Sequence, residues 1–235
     1  MWSRRQFIKA MGATGAALIT PFQRLGRAQA SALADGPLPL EAEFYEGFVL
    51  LPEDAPLPSS VQIPKSGVPR VCGVGLEGHR ATLDSTNKLF NTTDELAKEI
   101  NFPVYTLGEL PGGLRQSGAS MLTHNNGEIY NVSVNFEIYN SQETIWETGV
   151  VLGALSHFPK PFPLWSSKSV EPDGPTVSFE KANFLPSPGV MVVTAQGFVF
   201  HWIKNDVLYS LVVGHTLSFT EVQNLVAALI LIQHT

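Results

Sequence analysis

Residues 127–138 read Gly127-Glu128-Ile129-Tyr130-Asn131-Val132-Ser133-Val134-Asn135-Phe136-Glu137-Ile138, and their alternation decides the fold class. Side chains of a strand point to opposite faces in turn, so a period of two marks a half-buried strand. The apolar set is Tyr130, Val132, Val134, Phe136 and Ile138, and the polar set is Asn131, Ser133, Asn135 and Glu137. This stretch predicts a strand with one face on a core and one face in water.

The segments on either side extend this strand into a meander. Asn126-Gly127 is a strong hairpin signal because both residues tolerate positive φ, so residues 119–123 should form the preceding strand. A third strand is predicted over residues 144–152, after the turn residues Asn140-Ser141-Gln142. The three strands together predict an antiparallel sheet with one solvated face.

A second hairpin is predicted near the end of the chain. Residues 198–203 and 207–213 are apolar runs separated by Asn205-Asp206. A two-residue turn there pairs Trp202 with Tyr209, Phe200 with Leu211, and His201 with Ser210 on the opposite face.

Two capping boxes, each with a hydroxyl residue three positions before a glutamate, predict two helices. The box from Thr92 to Glu95 begins a helix over residues 93–100. The box from Ser218 to Glu221 begins a helix that buries an i, i+3, i+4, i+7 stripe: Phe219, Val222, Leu225, Val226, Leu229 and Ile230. The expected fold class is therefore α+β, an antiparallel meander of about five or six strands with helices packed on one face.

Proline content divides the rest of the chain. Residues 31–85 contain seven prolines, which exclude long helices and central strands, and they predict an extended arm whose one strand lies within residues 44–51. Residues 159–189 contain seven more and predict a long loop. The expected organisation is a leader over 1–30, an arm over 31–85 and an α+β domain over 86–235.

The leader contains Ser3-Arg4-Arg5-Gln6-Phe7-Ile8-Lys9, a mildly apolar run over residues 10–19, and Ala28-Gln29-Ala30. The run is far shorter than a membrane span, and the last three residues form an A-x-A cleavage pattern. The leader resembles a twin-arginine export signal, with Arg4 and Arg5 as its motif and cleavage at Ala28 and Ala30. This resemblance implies the twin-arginine translocase as partner, export in the folded state, a periplasmic or extracytoplasmic location and no stable membrane insertion after cleavage.

Charge and cysteine usage narrow the function classes. The chain has a formal net charge of −6, from 15 Lys and Arg and 21 Asp and Glu. Five of the basic residues and none of the acidic residues lie within residues 1–30. Residues 31–235 therefore hold 10 Lys and Arg against 21 Asp and Glu, a net charge of −11. This charge repels phosphate backbones, so no nucleic-acid partner is expected. Cys72 is the single cysteine, which excludes an intramolecular disulfide.

Three segments within residues 86–235 resemble a bacterial family catalogued only as a domain of unknown function, found in exported, lipoprotein-like and anti-sigma-factor-like proteins. They are residues 95–105 with Leu110-Pro111-Gly112-Gly113, the alternating strand 128–138, and residues 200–214 leading into Ser218 and the last helix. The resemblance implies no catalytic residues. It implies a shape akin to lipoprotein-carrier and sigma-regulator sensor domains, in which a curved sheet holds a lipid or peptide, but fold alone does not assign function.

Catalytic and metal patterns are weak. Cys72 and His79 could form a nucleophile pair, although no third orienting group is evident and a free cysteine is more often buried. Gly73, Gly75 and Gly78 match G-x-G-x-x-G without the following helix that a dinucleotide loop needs. The six histidines show no metal-ligand spacing, which leaves a metal unassigned, and no cofactor is assigned.

Aromatic residues offer a ligand hypothesis. Phe162, Trp165, Trp202 and Trp146 could line an apolar groove, with core packing as the alternative for each. The sequence therefore favours an exported, non-enzymatic binding or accessory module for an apolar ligand or an envelope protein. The alternatives are a metal- or cofactor-bearing redox accessory protein exported folded, and then a hydrolase.

Overall fold

The computed structural model describes residues 42–52, 55–63, 70–72, 76–77, 85–110, 113–124, 126–140, 145–166, 178–194, 197–214 and 217–232. The predicted leader, with Arg4, Arg5, Ala28 and Ala30, lies outside these residues. The chain forms two compact units: one holds the described residues up to 84, 157–181 and 190–199, and the other holds 85–156, 182–189 and those from 200 onward. The predicted domain boundaries remain predictions.

Fifteen strands and two short helices account for the described structure. The strands are β1 (Glu43–Tyr45), β2 (Phe48–Leu51), β3 (Arg70–Cys72), β4 (Leu76–Glu77), β5 (Ser85–Phe90), β6 (Val104–Leu107), β7 (Leu114–His124), β8 (Ile129–Asn140), β9 (Ile145–Leu155), β10 (Phe162–Trp165), β11 (Ser178–Ala182), β12 (Gly189–Thr194), β13 (Gly197–Lys204), β14 (Val207–Gly214) and β15 (Leu229–Ile232). The helices are α1 (Thr93–Ala97) and α2 (Phe219–Ala227). The protein is mostly β, and so richer in strands than the predicted α+β fold.

The main sheet is antiparallel and has eight strands rather than five or six, in the order β11-β12-β13-β14-β9-β8-β7-β5. Its centre contains the predicted meander, because β8 pairs with β7 on one side and with β9 on the other. β7 and β9 are longer than predicted, and β8 has the predicted length but begins and ends two residues later.

The polar positions of β8 are less exposed than their alternation predicted. Asn131, Ser133 and Asn135 are half-buried, and Val151, which lies opposite Asn135 on β9, is buried. Directly opposed residues share a face of the sheet, so apolar residues of neighbouring strands lie on the face that was expected to be solvated. The alternation located the strand correctly and overestimated the exposure of its polar face.

The hairpin of β13 and β14 has the predicted turn. Asn205 and Asp206 have φ values of 51° and 61°, and this pair of left-handed residues defines a type I′ turn. The rings of Trp202 and Tyr209 stack at 5.6 Å with planes 20° apart, which is consistent with their predicted pairing.

Both helices begin at the predicted caps. The Ser218 hydroxyl accepts from the Glu221 amide, and the Glu221 carboxylate accepts from the Ser218 amide at 2.7 Å, which completes a capping box. The Thr92 hydroxyl accepts from the Glu95 amide, but the Glu95 carboxylate accepts from the Asn91 amide instead of the cap residue.

Both helices are shorter than predicted, and α2 requires a correction that bears on function. It ends at Ala227, so Leu229 and Ile230 do not belong to its buried stripe. They lie in β15, which pairs antiparallel with β6 in a separate two-stranded sheet. The run Leu229-Ile230-Leu231-Ile232 suits a strand. The amide of Gly108, the residue after β6, donates to the Ala228 carbonyl where the helix ends.

The proline-rich regions form a second sheet, of five strands, in the order β1-β2-β10-β3-β4. The predicted arm is therefore wrong in one respect, because β2 is an inner strand that pairs with β1 and runs parallel to β10. Prolines flank this strand without interrupting it: Pro52 follows Leu51 directly. The predicted loop over 159–189 likewise contains β10 and β11.

Candidate functional site

Two of the aromatic residues predicted to bind a ligand lie in the unit that contains the five-stranded sheet. Phe162 is fully buried, and its ring makes edge-to-face contacts with Phe48 and Phe158. Trp165 is half-buried against Val49, Leu51 and Val61, and its Nε1 donates to the Ala55 carbonyl at 3.1 Å. Phe162 thus has the core role that was its alternative, and Trp165 keeps partial exposure.

The other two belong to the second unit. Trp202 is 0% exposed and its ring contacts those of Tyr105 and Tyr209. Trp146 lies in β9, and its side chain is outside the described structure. The groove that these four aromatic residues were expected to line stays a prediction, and burial places Phe162 and Trp202 in two different cores.

The chemical candidates from the sequence are mostly outside the described residues. These are Gly73, Gly75, Gly78, His79, His215, His234 and the side chain of Cys72. Within the described part of the chain, no three His, Cys, Asp or Glu side chains cluster in a way that could hold a metal ion.

His201 and Ser210 are the described residues that most resemble a base and a nucleophile. Burial lowers the pKa of His201 to about 4, against a smaller raising effect from a hydrogen bond with the Tyr209 backbone. The Ser210 hydroxyl lies over the Cα of Gly153 on β9, the strand on the side of β14 away from β13.

The feature that sequence reasoning missed is the exposed strand β15. Ile230 is 48% exposed and Leu231 is 37% exposed, whereas all four residues of its partner β6 are buried. Leu231 lies opposite Tyr105, and Ile230 lies opposite Thr106, so the two exposed side chains are on opposite faces of the two-stranded sheet. Among the described strands β15 pairs only with β6, so its second edge has no described partner strand, and each of its faces carries an exposed apolar side chain.

The register shows which backbone groups of β15 point toward this free edge. The Gly108 amide donates to the Ala228 carbonyl at 2.9 Å, which makes these opposed residues a hydrogen-bonded position of the ladder. Hydrogen-bonded and non-hydrogen-bonded pairs alternate in an antiparallel ladder. Ile230 and Ile232 therefore bond to β6, and the N–H and C=O groups of Leu229 and Leu231 point away from it.

Two further exposed apolar residues lie in or next to the connection that follows β6. Ile230 packs over Gly108, whose added Cβ would lie 3.0 Å from the Ile230 Cγ2, and Leu110 follows two residues later with 40% exposure. At the far end of the same connection, the Gly113 carbonyl accepts from the amide of Tyr139, which is 44% exposed. We call the four residues Leu229, Ile230, Leu231 and Ile232 the β15 edge.

Other outer strands carry charges that the β15 edge lacks. Lys88 of β5 forms an ion pair with Glu99 at 2.8 Å, and Lys181 of β11 forms one with Glu43 of β1 at 3.1 Å. Charged side chains on outer strands prevent unwanted strand pairing. An apolar outer strand without them is a site where another strand can add.

No family model matches the chain, and no curated protein or solved structure matches it either. No helix of the described residues is long and apolar enough to cross a membrane. The resemblance to the family of unknown function and to the export signal therefore remain predictions from the sequence.

Proposed function

We propose that this protein is an exported, non-enzymatic binding module that docks an envelope protein at the β15 edge. The observation that supports this proposal best is the uncharged, two-sided exposure of Ile230 and Leu231 on an outer strand. Exposed apolar surface on a folded protein commonly marks an interaction site.

A protein segment fits this edge better than a small apolar ligand. Small-molecule sites are concave and surround most of the ligand. The β15 edge instead presents side chains on both faces of a two-stranded sheet, with backbone donors and acceptors between them. An extended polypeptide can use both kinds of group at once.

Charge supports a cationic partner segment. The chain carries a net charge of −6, the part after residue 30 carries −11, and the exposed Glu109 lies just beyond β6. A second copy of the chain would bring the same charge and would be repelled. A segment with apolar residues between lysines or arginines would be attracted, so we assign the β15 edge to such a segment of an envelope protein.

Site-specific photocrosslinking tests this function. The crosslinking residue p-benzoyl-phenylalanine replaces Leu231 in one variant and Thr86, an exposed residue of β5, in the control. In the isolated cell envelope, we expect a discrete product from position 231 that the peptide Lys-Lys-Val-Ile-Val-Ile-Lys-Lys suppresses, and no such product from position 86.

Two outcomes contradict the proposal. A product at twice the mass of the chain would show that a second copy occupies the edge. Equal crosslinking from positions 231 and 86, or crosslinking that the peptide does not reduce, would show that the β15 edge is not a specific docking site.

A further inference from the structure

We infer that the partner joins β15 as an additional β-strand, bonded to the backbone groups of Leu229 and Leu231. This inference rests on the proposed function, because it specifies how the same edge binds its partner. It goes further by predicting which amides of both chains form the interface.

The first support is the direction of the backbone groups. Leu231 lies at a non-hydrogen-bonded position opposite Tyr105, so its N–H and C=O point to the open side of β15. Leu229 is two residues away and points its groups the same way. An extended segment whose amides repeat every second residue matches this spacing.

The second support is the rigidity of the strand that presents these groups. β6 is buried along its whole length, and Tyr105 contacts the rings of Trp202 and Tyr209. The Tyr209 hydroxyl donates to the Pro103 carbonyl at 2.9 Å, immediately before β6. β15 is therefore held by a strand that is itself fixed to the core, which lowers the entropic cost of adding another strand.

The third support is the distribution of apolar contacts. A strand added at this edge alternates its side chains between the two faces, so one set lies beside Ile230 and the other beside Leu231. Docking of a helix or a flat surface would cover one face and leave the other exposed. The partner segment should therefore be apolar on both faces and carry its lysines or arginines at the ends.

Backbone methylation of the peptide tests this mode without changing the protein. Two forms of Lys-Lys-Val-Ile-Val-Ile-Lys-Lys are N-methylated on alternate amides, one form on the even set and the other on the odd set. A peptide strand that bonds to β15 through one edge tolerates N-methyl groups only on the amides that point to its other edge. We expect one form to bind within about threefold of the unmodified peptide and the other to lose at least tenfold in affinity.

Variants of Leu231 test the same point from the protein side. Leu231→Pro removes an amide that β6 does not use, so the fold should persist while strand addition fails. Leu231→Ala removes the side chain and keeps the amide. We expect the proline variant to bind the peptide at least tenfold more weakly than the alanine variant, with unfolding in urea as the control for folding.

The outcomes separate this inference from the proposed function. If the two methylated peptides bind equally, and the proline and alanine variants lose affinity equally, the edge binds through side chains and the strand-addition mode is wrong. If the wild-type protein binds the unmodified peptide no better than its glutamate-flanked counterpart, the proposed partner chemistry is wrong as well.

Discussion

At the scale of single residues, the buried His201 makes the stability of the fold depend on pH. His201 is 1% exposed, and its folded-state pKa of about 4 lies well below the ordinary value of 6.5. Folding therefore requires the neutral imidazole. The unfolded chain binds a proton below pH 6.5 and the folded chain does not, so stability falls as the pH drops from about 6.5 to 4.

We predict that this one residue removes about 3 kcal/mol of stability between pH 7 and pH 4, from a shift worth about 1.4 kcal/mol per unit. The His201→Gln variant should lose this part of the pH dependence, and His157→Gln, at an exposed position, should keep it. Urea unfolding at pH 7, 5.5 and 4.5 measures the difference. If the unfolding free energies of the wild type and His201→Gln change with pH in parallel, His201 does not take up a proton on unfolding.

Gly189 illustrates a second residue-scale constraint, a close approach of two backbones. A Cβ there would overlap the His201 carbonyl oxygen and approach the Leu185 side chain to 2.9 Å. At Gly153 the corresponding overlap is with the Ser210 hydroxyl alone, and a hydroxyl can rotate away.

We therefore expect Gly189→Ala to destabilise the protein by about 3 kcal/mol and Gly153→Ala by about 1 kcal/mol or less, since overpacking that moves backbone is the costlier kind. The free energy of unfolding of the two variants decides this. Equal losses of unfolding free energy would mean that the backbone near Gly189 moves away from an added methyl group as readily as the Ser210 hydroxyl does.

At the scale of elements, α2 depends on its cap more than on its length. Nine residues form it, and it is too short to be stable alone. Ser218 and Glu221 satisfy each other's amides, and their hydrogen bonds lower the pKa of Glu221. The carboxylate form makes the cap, so the cap weakens as the pH falls through that lowered pKa.

We predict that Ser218→Ala costs about 1 kcal/mol of unfolding free energy, the usual contribution of a capping side chain. Ser218→Asp should retain most of it. Thr220→Ala, one position inside the helix and exposed, is the matched control and should change little. A loss at Thr220 as large as that at Ser218 would argue for general helix propensity instead of capping.

The boundary between α2 and β15 shows what sequence patterns cannot decide. Leu229 and Ile230 continue the helical stripe that begins at Phe219, and they are also part of an aliphatic run that suits a strand. The deciding interaction is with β6, more than 120 residues earlier, where the Gly108 amide meets the Ala228 carbonyl. Local periodicity contains no information about that contact, so the β15 edge could not be predicted.

At the scale of the whole molecule, local signals predicted the elements and missed their number and grouping. The alternation at 129–138, the Asn205-Asp206 turn and both caps each depend on neighbouring residues, and each is present. The five-stranded sheet depends on parallel pairing of β10 with β2 and β3, which are distant in sequence. Proline counting predicted an arm there because it cannot detect such pairing.

Export concerns the entire chain and is tested separately from binding. Replacing Arg4 and Arg5 by lysine should retain the precursor in the cytoplasm, because the resemblance to a twin-arginine signal implies recognition of the paired guanidinium groups. Replacing Arg24 and Arg27 by lysine keeps the same net charge and should leave export intact. Fractionation with immunoblotting measures both, and unchanged export of the Arg4 and Arg5 variant would contradict the assignment of the signal.

The central claim is that the β15 edge binds an extended, positively flanked segment. Residue-resolved amide exchange with and without Lys-Lys-Val-Ile-Val-Ile-Lys-Lys tests it most directly, because the amides of Leu229 and Leu231 face the open side while that of Ile230 bonds to β6. We predict that the peptide slows exchange at Leu229 and Leu231 strongly and changes Thr86 of β5 little. Unchanged exchange at Leu231, or equal slowing at Thr86, would contradict the account.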